Sequence, residues 1–232
     1  MKKLIGWAAL IGVPLTAILG AVLFGGERWD IASLAAVFLC CVPFFVSFEK
    51  RAPAARELVL IAVMTAFSVA GRFIFAVIPF FKPVTAVVII SAMYFGPQAG
   101  FMVGAMSAVI SNIYFGQGAW TPFQMFCWGI IGFIAGALNR KQLLEKPLPL
   151  CVYGIFAGVL YSVFMDVWTV LSAEGTFSLS RWLAAMAAAL PVTAVYCVSN
   201  AVFLLVLRKP LGRKLTRLRT KYGVFTEEKT EQ

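Results

Sequence analysis

Eight apolar runs follow one another along the chain, at residues 4–24, 31–48, 58–75, 84–95, 99–114, 121–138, 148–171 and 182–207. In hydrocarbon every backbone N–H and C=O must be bonded within the chain, and a succession of runs of this length meets that demand as helices. Composition agrees, because 61% hydrophobic and 13% charged residues and a mean hydropathy of +0.90 are too apolar for a water-soluble globule. The expectation is an all-α integral membrane protein of about eight transmembrane helices, with no room left for a soluble domain. The run at 4–24 follows Lys2 and Lys3 as a signal peptide would. It is long, however, and no small-x-small cleavage site precedes the next run, so it reads as a membrane helix.

A net charge of +10 would suit nucleic acid if the basic residues formed one patch, but their distribution gives them another role. With the N-terminus inside, sixteen of the twenty Lys and Arg residues fall in inner segments: at Lys2 and Lys3, around Arg51, around Arg140, and from Arg208 onward. That asymmetry is the topological signal of a multi-pass plasma-membrane protein with both termini cytoplasmic, and no nucleic-acid partner is expected. The basic stretch 208–221 reads as topogenic charge against anionic lipid. Cys40, Cys41, Cys127, Cys151 and Cys197 lie in apolar runs without metal-ligand spacing, so they read as small core residues and no metal site is expected.

The polar, Pro-containing stretch 49–57 is the most plausible internal boundary. It divides the chain into an N-terminal transmembrane hairpin with its basic linker (1–56), a six-helix core (57–207) and a basic tail (208–232). Small residues recur every third or fourth position in three core helices: Ala62, Ala66 and Ala70; Gly100, Gly104 and Ala108; Gly129, Gly132 and Gly136. Such stripes let helices approach closely, and for the two glycine-bearing helices packing within the monomer is the ordinary explanation. The run 84–95 is short for a span and rich in β-branched residues, which suits a helix that is tilted or shielded by protein.

Between the runs 99–114 and 121–138 lies the loop Gly116-Gln117-Gly118-Ala119-Trp120-Thr121-Pro122, with Asn112 before it and Gln124 and Trp128 after. An interfacial turn needs Gly, Pro and an aromatic anchor. Carboxamides and a hydroxyl beside two indoles can also hold a polar, flat ligand. Ionisable residues inside spans are costly and therefore functional candidates. Arg72 lies about 21 Å along its helix at 1.5 Å per residue, in the outer third, and Asp166 lies at a similar depth. These two could pair with each other or line a site. Depth thus gathers Asn112, Gln117, Trp120, Thr121, Gln124, Trp128 and Asp166 at the outer end, with Arg72 and Lys82 near the rim and Trp120 placed to act as a lid. Asn200, in a helix read as descending from residue 182, falls near the cytoplasmic end and reads as a bond to a neighbouring helix.

The chain has no histidine, which removes Ser-His catalysis and His-ligated metal sites, and no phosphate-binding GxxxxGK[ST] loop. No enzyme activity and no cofactor are expected. The run Lys82-Pro83-Val84-Thr85-Ala86, then Phe95-Gly96-Pro97, then Gly116 to Met125, resembles the substrate-binding S-components of energy-coupling factor (ECF) transporters over about residues 57–207. The resemblance implies that the chain binds a vitamin or similar micronutrient at the outer face, and that a membrane scaffold protein and two cytoplasmic ATPases supply the energy. It also implies that the stripe Ala62, Ala66 and Ala70 meets the scaffold. The N-terminal hairpin is a departure from the six-helix pattern. The Gly-Gln-Gly-x-Trp-Thr-Pro loop looks most like members associated with cobalamin, with a riboflavin-type substrate the close competitor and a queuosine precursor or another heterocycle left open. A self-sufficient secondary transporter and a membrane assembly protein are the alternatives from other classes.

Overall fold

The computed structural model describes residues 29–50 and 52–225. The expected span at 4–24 and the turn after it lie outside the described residues. What is described is all-helical: α1 (Trp29–Glu49), α2 (Ala55–Ile74), α3 (Val84–Phe95), α4 (Pro97–Phe115), α5 (Trp120–Asn139), α6 (Pro147–Glu174), α7 (Leu179–Ala188) and α8 (Leu190–Tyr222). Of these, α2, α5, α6 and α8 are long and apolar enough to cross a membrane.

The short helix α3 is the hub. It is apolar on every side, the pattern of a helix enclosed by protein. Every residue but Tyr94 is buried, and α2, α4, α5, α6 and α8 all pack on it. Shielding by protein therefore explains how about 18 Å of helix (12 residues at 1.5 Å) serves in an apolar protein. It ends at Gly96, whose φ of +88° is a backbone conformation that side chains disfavour, and Pro97 opens α4 in the first-turn position where its missing N–H costs nothing.

The two glycine stripes face each other across the α4–α5 crossing. A Cβ on Gly104 would lie 2.4 Å from the Trp128 carbonyl oxygen and one on Gly132 2.4 Å from that of Gly100, so the backbones touch. Helices α6 and α8 meet in the same way, with Gly158 against the Cys197 backbone. Helix α1 docks on α4 and α5: Phe44 stacks on Phe101 at 4.1 Å and meets Phe133 edge-on, and Gln98 donates to Ser47 Oγ at 3.2 Å.

One expectation needs correction. The run at 182–207 is two helices, α7 and α8, which part at Ala189 just before Pro191. Proline is favoured in a first turn and disfavoured inside a helix, so the chain restarts there. Helix α8 runs on through the basic stretch 208–221, carrying Pro210. Beyond Gly223 the chain folds back. Val224 and Phe225 are buried, Phe225 stacks on Phe95 at 4.6 Å, and its N–H donates to the buried Glu57 carboxylate at 2.7 Å. The basic end of the molecule is thereby closed.

Candidate functional site

At the opposite end, α2, α3, α5, α6 and α8 surround a cavity of about 240 Å³. Its walls carry Arg72 from α2, Phe80 and Lys82 from the following loop, Gln124 and Trp128 from α5, Tyr161 from α6, and Tyr196 and Asn200 from α8. The wall is built by a chain of hydrogen bonds between helices. Arg72 Nη1 donates to Ser111 Oγ and to Asn112 Oδ1 at 2.8 Å. Asn112, fully buried, donates to Thr121 Oγ1 at 2.9 Å and to Gln124 Oε1 at 2.8 Å. Gln124 in turn donates to the Tyr161 hydroxyl at 3.1 Å. Each buried carboxamide thus spends donors and acceptor on fixed partners, the condition under which buried polar groups stay affordable and rigid.

Aromatic rings complete the enclosure. Trp128 lies parallel to Tyr161 at 5.3 Å and 11°, Tyr196 meets Tyr161 edge-on at 5.1 Å, and Phe80 meets Tyr196 edge-on at 5.8 Å. Phe80 holds its ring there from a left-handed backbone, φ 61°, a strain of about 1–2 kcal/mol for a non-glycine residue. The loop after it is fastened to α8: Lys82 N–H donates to Ser199 Oγ at 2.9 Å, and that hydroxyl donates back to the Lys82 carbonyl at 3.0 Å. Arg72 lies over the Phe115 ring at 4.5 Å and over Trp128 at 5.5 Å, and the Lys82 ammonium lies over Phe115 at 5.3 Å. Burial first, and the Arg72 charge second, push the Lys82 ammonium below its ordinary value.

The nine site residues read from the sequence divide into three groups. Arg72, Lys82, Gln124 and Trp128 stand in the wall. Asn112 and Thr121 form the layer behind it. Gln117, Trp120 and Asp166 are not brought to the wall. Gln117 is exposed and ties the loop to itself, accepting from Thr121 Oγ1 at 2.9 Å and donating to the Val109 carbonyl at 2.8 Å. The Trp120 indole lies flat on its own loop, so that a Cβ on Gly118 would be 2.1 Å from the ring. Asp166 does not pair with Arg72, whose guanidinium is engaged by Ser111 and Asn112, and its buried Oδ2 has no hydrogen-bond partner among the described residues.

Phe80, Tyr196, Asn200 and Ser199 are the residues sequence reasoning missed. Asn200 does bond a neighbouring helix, donating to the Gly154 carbonyl at 3.0 Å, yet it also lines the cavity. A count from residue 182 places it too far along the helix. Started from Pro191, the signal that was available, it places Asn200 ten residues into α8.

The stripe Ala62, Ala66 and Ala70 lies on the opposite flank of α2, exposed. With Met102, Met106 and Ile110 of α4 it lines an apolar groove of about 500 Å³.

A family model described as "ECF-type riboflavin transporter, S component" matches residues 54–217. The chain is 28% identical over 137 residues to a UPF0397 protein of Vibrio atlanticus (strain LGP32), covering 52% of this chain and 74% of that protein. It is 30% identical over 138 residues to a UPF0397 protein of Aliivibrio fischeri (strain MJ11), covering 52% and 73%. No solved structure gives a significant match.

Proposed function

Because the chain belongs to the family of ECF-type riboflavin transporter S components, and is thus a substrate-specific part of a membrane transporter, we propose that the cavity beside Arg72 binds a small planar heterocycle at the outer face. The observation that carries this reading is the hydrogen-bonded chain from Arg72 through Asn112 and Gln124 to Tyr161. It ties Tyr161 and several polar groups around one space that Trp128, Tyr196 and Phe80 also line, the composition of a small-molecule site.

The volume bears on the substrate. At about 240 Å³ the cavity is near the lower edge of small-molecule pockets, roughly 300–1,000 Å³. A corrinoid is several times larger, so size and the family's description both favour a riboflavin-type heterocycle over cobalamin. The cavity opens outward and the termini are cytoplasmic: the basic residues around Arg56, Arg140 and Arg208 gather at the other end, as the positive-inside bias requires. Residues 57–207 then form the substrate-binding core, α2 to α8, against which α1 packs.

Energy comes from a scaffold protein and two cytoplasmic ATPases, and the scaffold docks in the groove lined by Ala62, Ala66 and Ala70. Small side chains there let a second helix come close in a bilayer that offers no hydrophobic reward for association.

The test is uptake in cells that carry or lack the scaffold and ATPases, together with absorbance and mass of the small molecule that copurifies with the full chain. Uptake only with the partners, and a planar heterocycle in the protein, is the expected result. Uptake without the partners points to a self-sufficient secondary transporter.

A further inference from the structure

The cavity wall holds two cations, and no carboxylate among the described residues joins it. Arg72 spends Nη1 on Ser111 and Asn112, and its remaining N–H groups have no hydrogen-bond acceptor among the described residues. The Lys82 ammonium has neither an ion pair nor a hydrogen bond there, only the face of Phe115, which it shares with Arg72. Asp166 of α6 stands outside the wall, its Oδ2 unbonded among the described residues.

Two like charges gathered on one ring, half removed from water, repel each other and lose hydration. Neither side chain is there by default. The Lys82 backbone is clamped to Ser199 through both its N–H and its carbonyl, and Arg72 is held by two acceptors on α4. A site that fixes two uncompensated cations beside Trp128, Tyr161 and Tyr196 is built for a ligand that brings the missing charge. An oxyanion can take charge-assisted hydrogen bonds from both, and the planar guanidinium suits a carboxylate or a phosphate.

We infer that the ligand is a planar heteroaromatic anion, its carboxylate or phosphate held between Arg72 and Lys82 and its ring among Trp128, Tyr161 and Tyr196. This rests on the heterocycle-binding reading above and adds the charge.

Two matched pairs of probes separate charge from shape: riboflavin with riboflavin 5′-phosphate, and pterin with pterin-6-carboxylate. Each is titrated against the full chain in detergent, with quenching of tryptophan fluorescence as the readout. In at least one pair the anion should bind tenfold or more tighter than its neutral partner, and the pair that shows it tells carboxylate from phosphate. Lys82→Met should erase that preference, whereas Lys82→Arg should keep most of it. A thermal unfolding midpoint matching the parent identifies which variants are folded, and the ratio within a pair in the unaltered chain tests the inference independently of them. Neutral probes that bind as tightly as their anions, or a preference that survives in folded Lys82→Met, overturns the anion subsite and leaves the heterocycle reading standing. Binding by none of the four overturns both.

Discussion

Two sets of small residues, spaced three or four apart, meet opposite fates in this molecule. On α4 and α5 the glycines are consumed within the chain, carbonyl against Cα. On α2 the alanines remain exposed and line a groove that none of the described residues fills. Spacing alone says only that a backbone can come close. What decides the outcome is the rest of the helix: α4 and α5 also carry Asn112, Thr121 and Gln124, which must be buried and bonded to one another. Helix α2 places Ser68 and Arg72 away from the alanine groove, and only Thr65 of its polar residues lines it. The polar partners pull one pair of stripes together and leave the other stripe outward.

That contrast breaks most visibly at the glycines. Gly132→Leu drives a side chain into the Gly100 backbone, which cannot yield as a flexible neighbour would. It should cost more than the roughly 1–3 kcal/mol of ordinary overpacking, seen as loss of monodisperse protein in detergent. A normal yield and midpoint would mean that the α4–α5 contact is looser than described.

Ala66→Trp should behave in the opposite way. The groove has room, so folding and ligand binding should match the parent while copurification of the scaffold and uptake both fall at least tenfold. Loss of ligand binding together with uptake would instead make the alanine stripe part of the monomer's packing.

How much of this was legible follows from what sets each feature. Helix positions were readable because apolar length and backbone satisfaction are local properties, and α3 announced its burial by being apolar on all sides. The division of 182–207 hid behind an unbroken apolar run, although Pro191 marked it, and the error moved Asn200 from the cavity to the far end. Arg72, Lys82, Gln124 and Trp128 were gathered by depth alone, since depth follows from helix direction. Rotation about the helix axis does not, and it is rotation that keeps Asp166 off the wall. The orientation of Trp120 was not legible for a different reason: nothing in the sequence says whether an indole turns toward a neighbouring helix or lies back on its own glycines.

The smallest expected effect sharpens the comparison between those last two kinds of residue. Gln124 is buried in the wall and bonded on both sides, to Asn112 and to Tyr161. Trp120 is 37% exposed and rests on Gly118. Gln124→Ala should therefore weaken binding of the copurifying ligand by about 1–3 kcal/mol, the scale of leaving buried partners unpaired. It should do so without a change in expression, because the aromatic frame of Trp128, Tyr161 and Tyr196 is untouched. Trp120→Ala should change binding by less than about 0.5 kcal/mol, as surface substitutions away from a site do, and its effect should appear in the mobility of the 116–119 loop, which loses the surface it packs against. Equilibrium binding of the two variants side by side gives the answer. If Trp120→Ala weakens binding as much as Gln124→Ala, the indole leaves Gly118 to cover the occupied cavity, and the loop is a lid after all.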